Sequence, residues 1–133
     1  MRATTSPLLD FVIMTLDRPG MYYGDFAIRD VAHVMNGWRY ATRFGGVAEE
    51  DQLARSLPEF HQFLETRLGL RSSPSWSECI DQRFPVPQEQ LSVFVALFVE
   101  FAGTVGVAIE HVSHRRIDEG RQLLSHPPNP AVN

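Results

Sequence analysis

The side chains best suited to chemistry in this 133-residue chain are one cysteine, Cys79, and the pentapeptide Glu110-His111-Val112-Ser113-His114. Two histidines three residues apart share a helix face and could hold a metal ion. The helical zinc-protease pattern, however, needs a glutamate directly after the first histidine and a second histidine four positions on, and neither is present. Glu110 and His114 stand at i and i+4, so the run reads as a solvated polar face. His33 and His61 fall on amphipathic stretches and read as half-buried packing residues. Cys79 would serve as a nucleophile only with a histidine beside it in space; as a lone thiol it reads as buried and inert. The chain contains no G-x-S-x-G elbow, no G-x-x-x-x-G-K-[ST] phosphate loop and no G-x-G-x-x-G turn. It also contains no lysine, which removes Schiff-base chemistry and the phosphate-loop lysine. The expectation is a protein that is not an enzyme, with no catalytic, metal or cofactor-binding residues and no cofactor. A small metal- or cysteine-dependent hydrolase using His111, His114 or Cys79 is the alternative, and a stand-alone ligand-binding or scaffold protein is a third reading.

Whatever carries function must be positioned by a fold, and composition bounds that fold. A chain of this length makes one domain with a core of its own. With 44% hydrophobic and 21% charged residues it lies in the globular range. All 12 basic residues are arginine, and 16 acidic residues outnumber them for a net charge of -4. That balance argues against a nucleic-acid binder, which needs a basic face to neutralise phosphates. A single cysteine cannot form an internal disulfide framework. The apolar stretch near the start carries Asp10 and lacks a small-residue cleavage site, so a cytoplasmic location is expected.

Helical periodicity dominates the chain. Ser6 and Pro7 read as an N-cap and first helical residue, followed by Leu8, Leu9, Val12, Ile13 and Leu16, with a stop at Asp17-Arg18-Pro19-Gly20. A second helix is expected from about Asp25, through Ile28, Val31, Met35, Trp38 and Tyr40, to Gly45-Gly46. The acidic run Glu49-Glu50-Asp51 suits the start of a short helix, and a third helix follows Pro58 to Gly69. The segment from Arg71 to Pro87 reads as a loop with one short helix docked by Trp76. From Gln88 a long apolar helix is expected, with a face of Leu91, Phe94, Val95, Phe98 and Phe101 continuing to Val105, Ile109 and Val112, and with Gly103 and Gly106 as points of kinking or close contact. From Leu91 to Ile109 its only charge is Glu100, a pattern that raises a membrane span. A mid-span carboxylate is costly in lipid and the other helices need an apolar partner, so the reading is a buried central helix. The expected architecture is an all-α, single-domain bundle of four to six helices around this long C-terminal helix, over residues 1–125, with 126–133 a disordered or extended tail.

The string Arg18-Pro19-Gly20-Met21-Tyr22-Tyr23-Gly24-Asp25 is similar to a segment of the gyrase-type ATPase domain, but the likeness ends there: Asn36 in the next helix has no acidic neighbour and no lid glycines follow. A broader pattern comprises this R-P-x-M-Y-x-G turn, Gly37-Trp38-Arg39-Tyr40-Ala41, Phe60-His61-Gln62-Phe63-Leu64, a tryptophan, and Phe94-Val95-Ala96-Leu97-Phe98-Val99-Glu100-Phe101. From Leu8 to Phe101 it resembles a family of small bacterial immunity-type proteins associated with polymorphic toxins. Residues 102–133 depart from the pattern as a C-terminal extension. The resemblance implies a cytoplasmic protein that binds and neutralises a cognate toxin domain, with no nucleic acid or membrane partner and with homodimerisation left open; no catalytic residue carries over. An acidic inhibitor gains on-rate against a basic toxin cleft. The expected toxin contacts are Asp25 beside Tyr23, and Glu49, Glu50 and Asp51 in the loop before the third helix, since an aromatic beside carboxylates suits a hot spot with a charged rim.

Overall fold

The computed structural model describes residues 6–17, 27–45, 51–70, 75–109 and 115–125. These residues form an all-α bundle in which α1 (Pro7–Asp17), α2 (Ile28–Gly45), α3 (Gln52–Ser56), α4 (Phe60–Leu68), α5 (Trp76–Arg83), α6 (Pro87–Thr104) and α7 (Arg115–Ser125) follow one another. A 3-10 turn, Leu57–Glu59, joins α3 to α4. Among the described residues there is no strand, and no helix is long and apolar enough to cross a membrane.

The local chemistry sets most helix ends. Ser6 caps α1, its Oγ accepting from the Leu9 N–H at 3.1 Å, while Pro7 occupies the position where an N–H would have no partner. α2 starts at Ile28, later than the periodicity suggests, because Asp30 reaches back to accept from the Ala27 N–H at 2.8 Å, which is half of a capping box. α4 ends where Gly69 turns left-handed (φ 69°), letting the Leu70 N–H reach the Glu65 carbonyl at 2.9 Å. Arg83 of α5 closes the same end from outside, donating to the Leu68 carbonyl at 2.8 Å. Its cation meets the negative end of the α4 dipole.

α6 is the central element. Every residue from Gln90 to Val99 is buried, and beyond the exposed Glu100 so are Phe101 and Ala102. A helix buried on all sides must be surrounded, and α1, α2, α4, α5 and α7 all pack on it. The focus of that packing is Phe60, at the first turn of α4. Its ring lies 5.4 Å from Phe98, 5.2 Å from Phe101, 5.3 Å from Trp76 and 6.0 Å from Phe94. The contacts to Phe94 and Phe98 are edge-on, the arrangement favoured by the ring quadrupole. Trp76 docks α5 into this cluster, stacking at 5.1 Å on Phe94.

Two features differ from the sequence expectation. α6 stops at Thr104 rather than running on to Val112. Gly106 adopts φ 89°, and the Val107 N–H returns to the Ala102 carbonyl at 3.0 Å while that of Gly106 meets the Gly103 carbonyl at 3.3 Å. This is a Schellman closure with Val107 buried beneath it. The chain then folds back, bringing Ile109 over Gly103, where a Cβ would lie 2.8 Å from the Ile109 Cδ1.

The second difference is α7, a helix in the segment that reads as an extension. It packs on α6 through Ile117 and Gly120. At Gly120 a Cβ would fall 2.0 Å from the Ser92 carbonyl oxygen and 2.8 Å from the Ala96 Cβ, so only glycine permits this approach. The expected tail, 126–133, lies outside the described residues.

Gly120→Ala is therefore expected to destabilise the protein although alanine is the better helix former. The clash is with backbone, and overpacking of this kind costs about 1–3 kcal/mol. Urea denaturation should show a lower midpoint, and amide exchange should rise first in residues 115–125; unchanged protection there would contradict the packing. Phe60→Ala, which empties the aromatic cluster, is expected to cost about 3–5 kcal/mol in the same measurement.

Candidate functional site

Of the five residues expected to contact a partner, Tyr23, Asp25, Glu49 and Glu50 lie outside the described residues. Asp51 is described, and it is not at the surface: only 2% of it is exposed. The expectation of a solvated acidic contact is corrected at this position. One carboxylate oxygen, Oδ1, accepts from the Leu53 and Ala54 N–H groups at 3.1 and 3.2 Å, capping α3. The same oxygen takes the Ser6 hydroxyl at 2.8 Å, and Oδ2 takes the Leu8 N–H of α1 at 2.9 Å. Two helix N-termini thus share one anion, satisfying donors that neither helix can satisfy alone. A buried carboxylate is tolerable only when its lone pairs are occupied in this way.

The other candidates also resolve into structural roles where they are described. The Cys79 side chain is fully buried, its thiol 3.5 Å from the Ser75 carbonyl that it donates to. His61 is half-buried, with Nε2 at 3.7 Å from Glu65 one turn on. His33 is exposed rather than half-buried. His111 and His114 lie outside the described residues, and among those described no group of three histidine, cysteine or acidic side chains could hold a metal.

Among the described residues eight polar side chains are buried: Ser6, Thr15, Asp51, Ser56, Ser77, Arg83, Gln90 and Ser92. Ser6, Asp51 and Arg83 serve helix ends as described. Thr15, Ser56 and Ser92 donate to carbonyls one turn back on their own helices. Ser77 bonds the α5 N-cap Ser75 at 3.1 Å. Gln90 donates at 2.7 Å to both Asp81 and the Phe84 carbonyl, fastening α5 to α6. Each therefore has a hydrogen-bond partner within its own helix or across to a neighbouring element, as burial of polar groups requires.

One concave surface among the described residues is a groove of about 650 Å³ where α4, α6 and α7 meet. Its apolar wall includes Val99, Ile109 and Leu124. On one side Arg67 of α4 pairs with Glu100 of α6, Nε to Oε1 at 2.8 Å, both side chains about two-fifths exposed at 40% and 42%. On the other stands Arg121 of α7, 58% exposed, with Asp118 of the same helix 3.8 Å away. Glu100 has a signal in the sequence as the lone charge of an apolar run, and a carboxylate in such a helix marks its one wet edge. Arg67 and Arg121 have none, because their position depends on where α4 and α7 dock.

Comparison with known proteins finds no family model, no curated protein and no solved structure that matches the chain.

Replacing Asp51 separates its two duties. Asp51→Ala is expected to cost about 3 kcal/mol, the sum of two lost caps and the buried donors left unpaired. Asp51→Asn keeps one acceptor oxygen but sets an NH₂ against a backbone or hydroxyl donor, and about half that loss is expected. Chemical denaturation of both variants together with Ser6→Ala checks the sharing: the Ser6 and Asp51 losses should be strongly non-additive. Simple additivity would mean that the two residues act separately.

Proposed function

We propose that this protein acts by binding rather than by catalysis, as an immunity-type protein that occupies a cognate toxin domain stoichiometrically in the bacterial cytoplasm and blocks its active site or substrate access. The observation that carries this reading is the use of the buried polar side chains. Among the described residues, all eight are hydrogen-bonded within a helix or between helices, and the thiol that could have served as a nucleophile is sealed in the core. An interior spent in this way leaves recognition to the surface. The family resemblance from Leu8 to Phe101 and the net charge of -4 support the same reading, since an acidic protein is steered toward a basic cleft.

Tyr23, Asp25, Glu49 and Glu50 are the proposed contacts. Asp51 is withdrawn from that set, because a residue 2% exposed cannot meet a partner without loss of the fold. Neither a metal nor a cofactor enters the proposed activity.

Co-expression with the toxin encoded beside it tests the proposal directly. The expected result is a stable 1:1 complex on co-purification and restored growth; the absence of both would end the immunity reading. Given a complex, the double charge reversal Glu49→Arg and Glu50→Arg is expected to slow association by about tenfold at low salt and to flatten its ionic-strength dependence. An unchanged association rate would move the interface elsewhere.

A further inference from the structure

We propose that the groove between α4, α6 and α7 is a binding site for a small amphipathic carboxylate, independent of any protein partner. Its volume of about 650 Å³ falls within the range of small-molecule sites, which combine an apolar lining with a few polar groups that fix orientation. The lining has that composition: Val99, Ile109 and Leu124 offer an apolar wall, and the charged groups stand at its margins.

The charges select the sign of the ligand. Glu100 is already neutralised by Arg67 at 2.8 Å, so a cationic head group would have to displace an arginine to reach it. Arg121 is differently placed. Its contact with Asp118 is long, at 3.8 Å, and both side chains are more than half exposed, at 58% and 71%, so solvent screens the pair and holds it weakly. The guanidinium fork retains donors for a planar carboxylate, the geometry that arginine matches best. Arg67, which also lines the groove, gives its Nε to Glu100.

The shape is built rather than incidental. The left-handed turn at Gly106 sends the chain back along α6, and Gly103 has no side chain to hold Ile109 away, so Ile109 closes the wall beside it. Across the groove, Gly120 brings α7 onto the α6 backbone and thereby sets Arg121 and Leu124 at the facing margin. The wall formed by Val99 and Ile109 thus faces Arg121 and Leu124 across a spacing set by two glycine contacts.

Octanoate is the probe, titrated into the full-length protein and followed by amide chemical shifts, with octan-1-ol and octylammonium as neutral and cationic counterparts. Saturable octanoate binding is expected, with shifts concentrated in residues 99–109 and 121–125, and binding of either counterpart at least several-fold weaker. Arg121→Gln should weaken octanoate about tenfold, the worth of one charge-assisted hydrogen bond, and Leu124→Ser should weaken octanoate and octan-1-ol alike. Arg115→Gln, an exposed change on the same helix, should leave affinity within about twofold. The proposal is overturned by octan-1-ol binding as tightly as octanoate, by an unchanged affinity in Arg121→Gln, by shifts mapping to another surface, or by no saturable binding. None of these outcomes bears on toxin neutralisation, which is read by co-purification.

Discussion

Two helices of this protein begin at the same carboxylate. An α-helix opens with backbone donors that its own carbonyls cannot reach, and a helix start inside a protein must find acceptors elsewhere. The second residue of both α1 and α3 is a fully buried leucine, Leu8 and Leu53, so water cannot supply those acceptors. Asp51 supplies them to both, through Leu8 on one side and Leu53 and Ala54 on the other. Ser6 completes the arrangement by donating to Asp51 while accepting from Leu9. The geometry of one side chain therefore fixes where α1 lies relative to α3, and through the 3-10 turn, where Phe60 enters the core.

From that point the packing follows by size and shape. Phe60 meets four aromatic rings of α5 and α6, while α7 approaches α6 on another side through a residue with no side chain at all. Large residues fill one face of the central helix and a missing side chain serves the other. Arg83 and Gln90 tie the connecting segments, each to a main-chain carbonyl that would otherwise be left open. The groove is what remains where three helices of unequal bulk converge.

Much of this architecture is legible in the sequence because it depends on neighbours in the chain. Ser6-Pro7 announces the start of α1, Gly69 the end of α4, and the apolar run from Leu91 a helix with no exposed face. Asp51 is misread for the opposite reason. Beside Glu49 and Glu50 it looks like part of a solvated acidic run, and the groups that bury it are 43 and 45 positions away. α7 escapes notice because a glycine in mid-helix counts against helix formation, whereas here the Ser92 carbonyl makes glycine a requirement. The far end of α6 is overextended because Val105, Ile109 and Val112 keep the helical period; periodicity does not register the positive φ at Gly106 that ends the helix. The groove is illegible for a related reason, since Arg67 and Arg121 come together only through docking.

The central position of α6 also shapes how the chain can be made. Leu8, Leu9, Phe60 and Leu64 are all buried in the finished protein, and they leave the ribosome before the helix against which they pack. Synthesis proceeds from the N-terminus at about 5–20 residues per second, so the earlier helices wait several seconds for residues 87–104. During that interval no complete core exists, and the exposed apolar faces are open to chaperones or to other nascent chains. An element that follows most of its partners in the sequence and lies at the middle of the structure defers assembly until residues 87–104 have emerged.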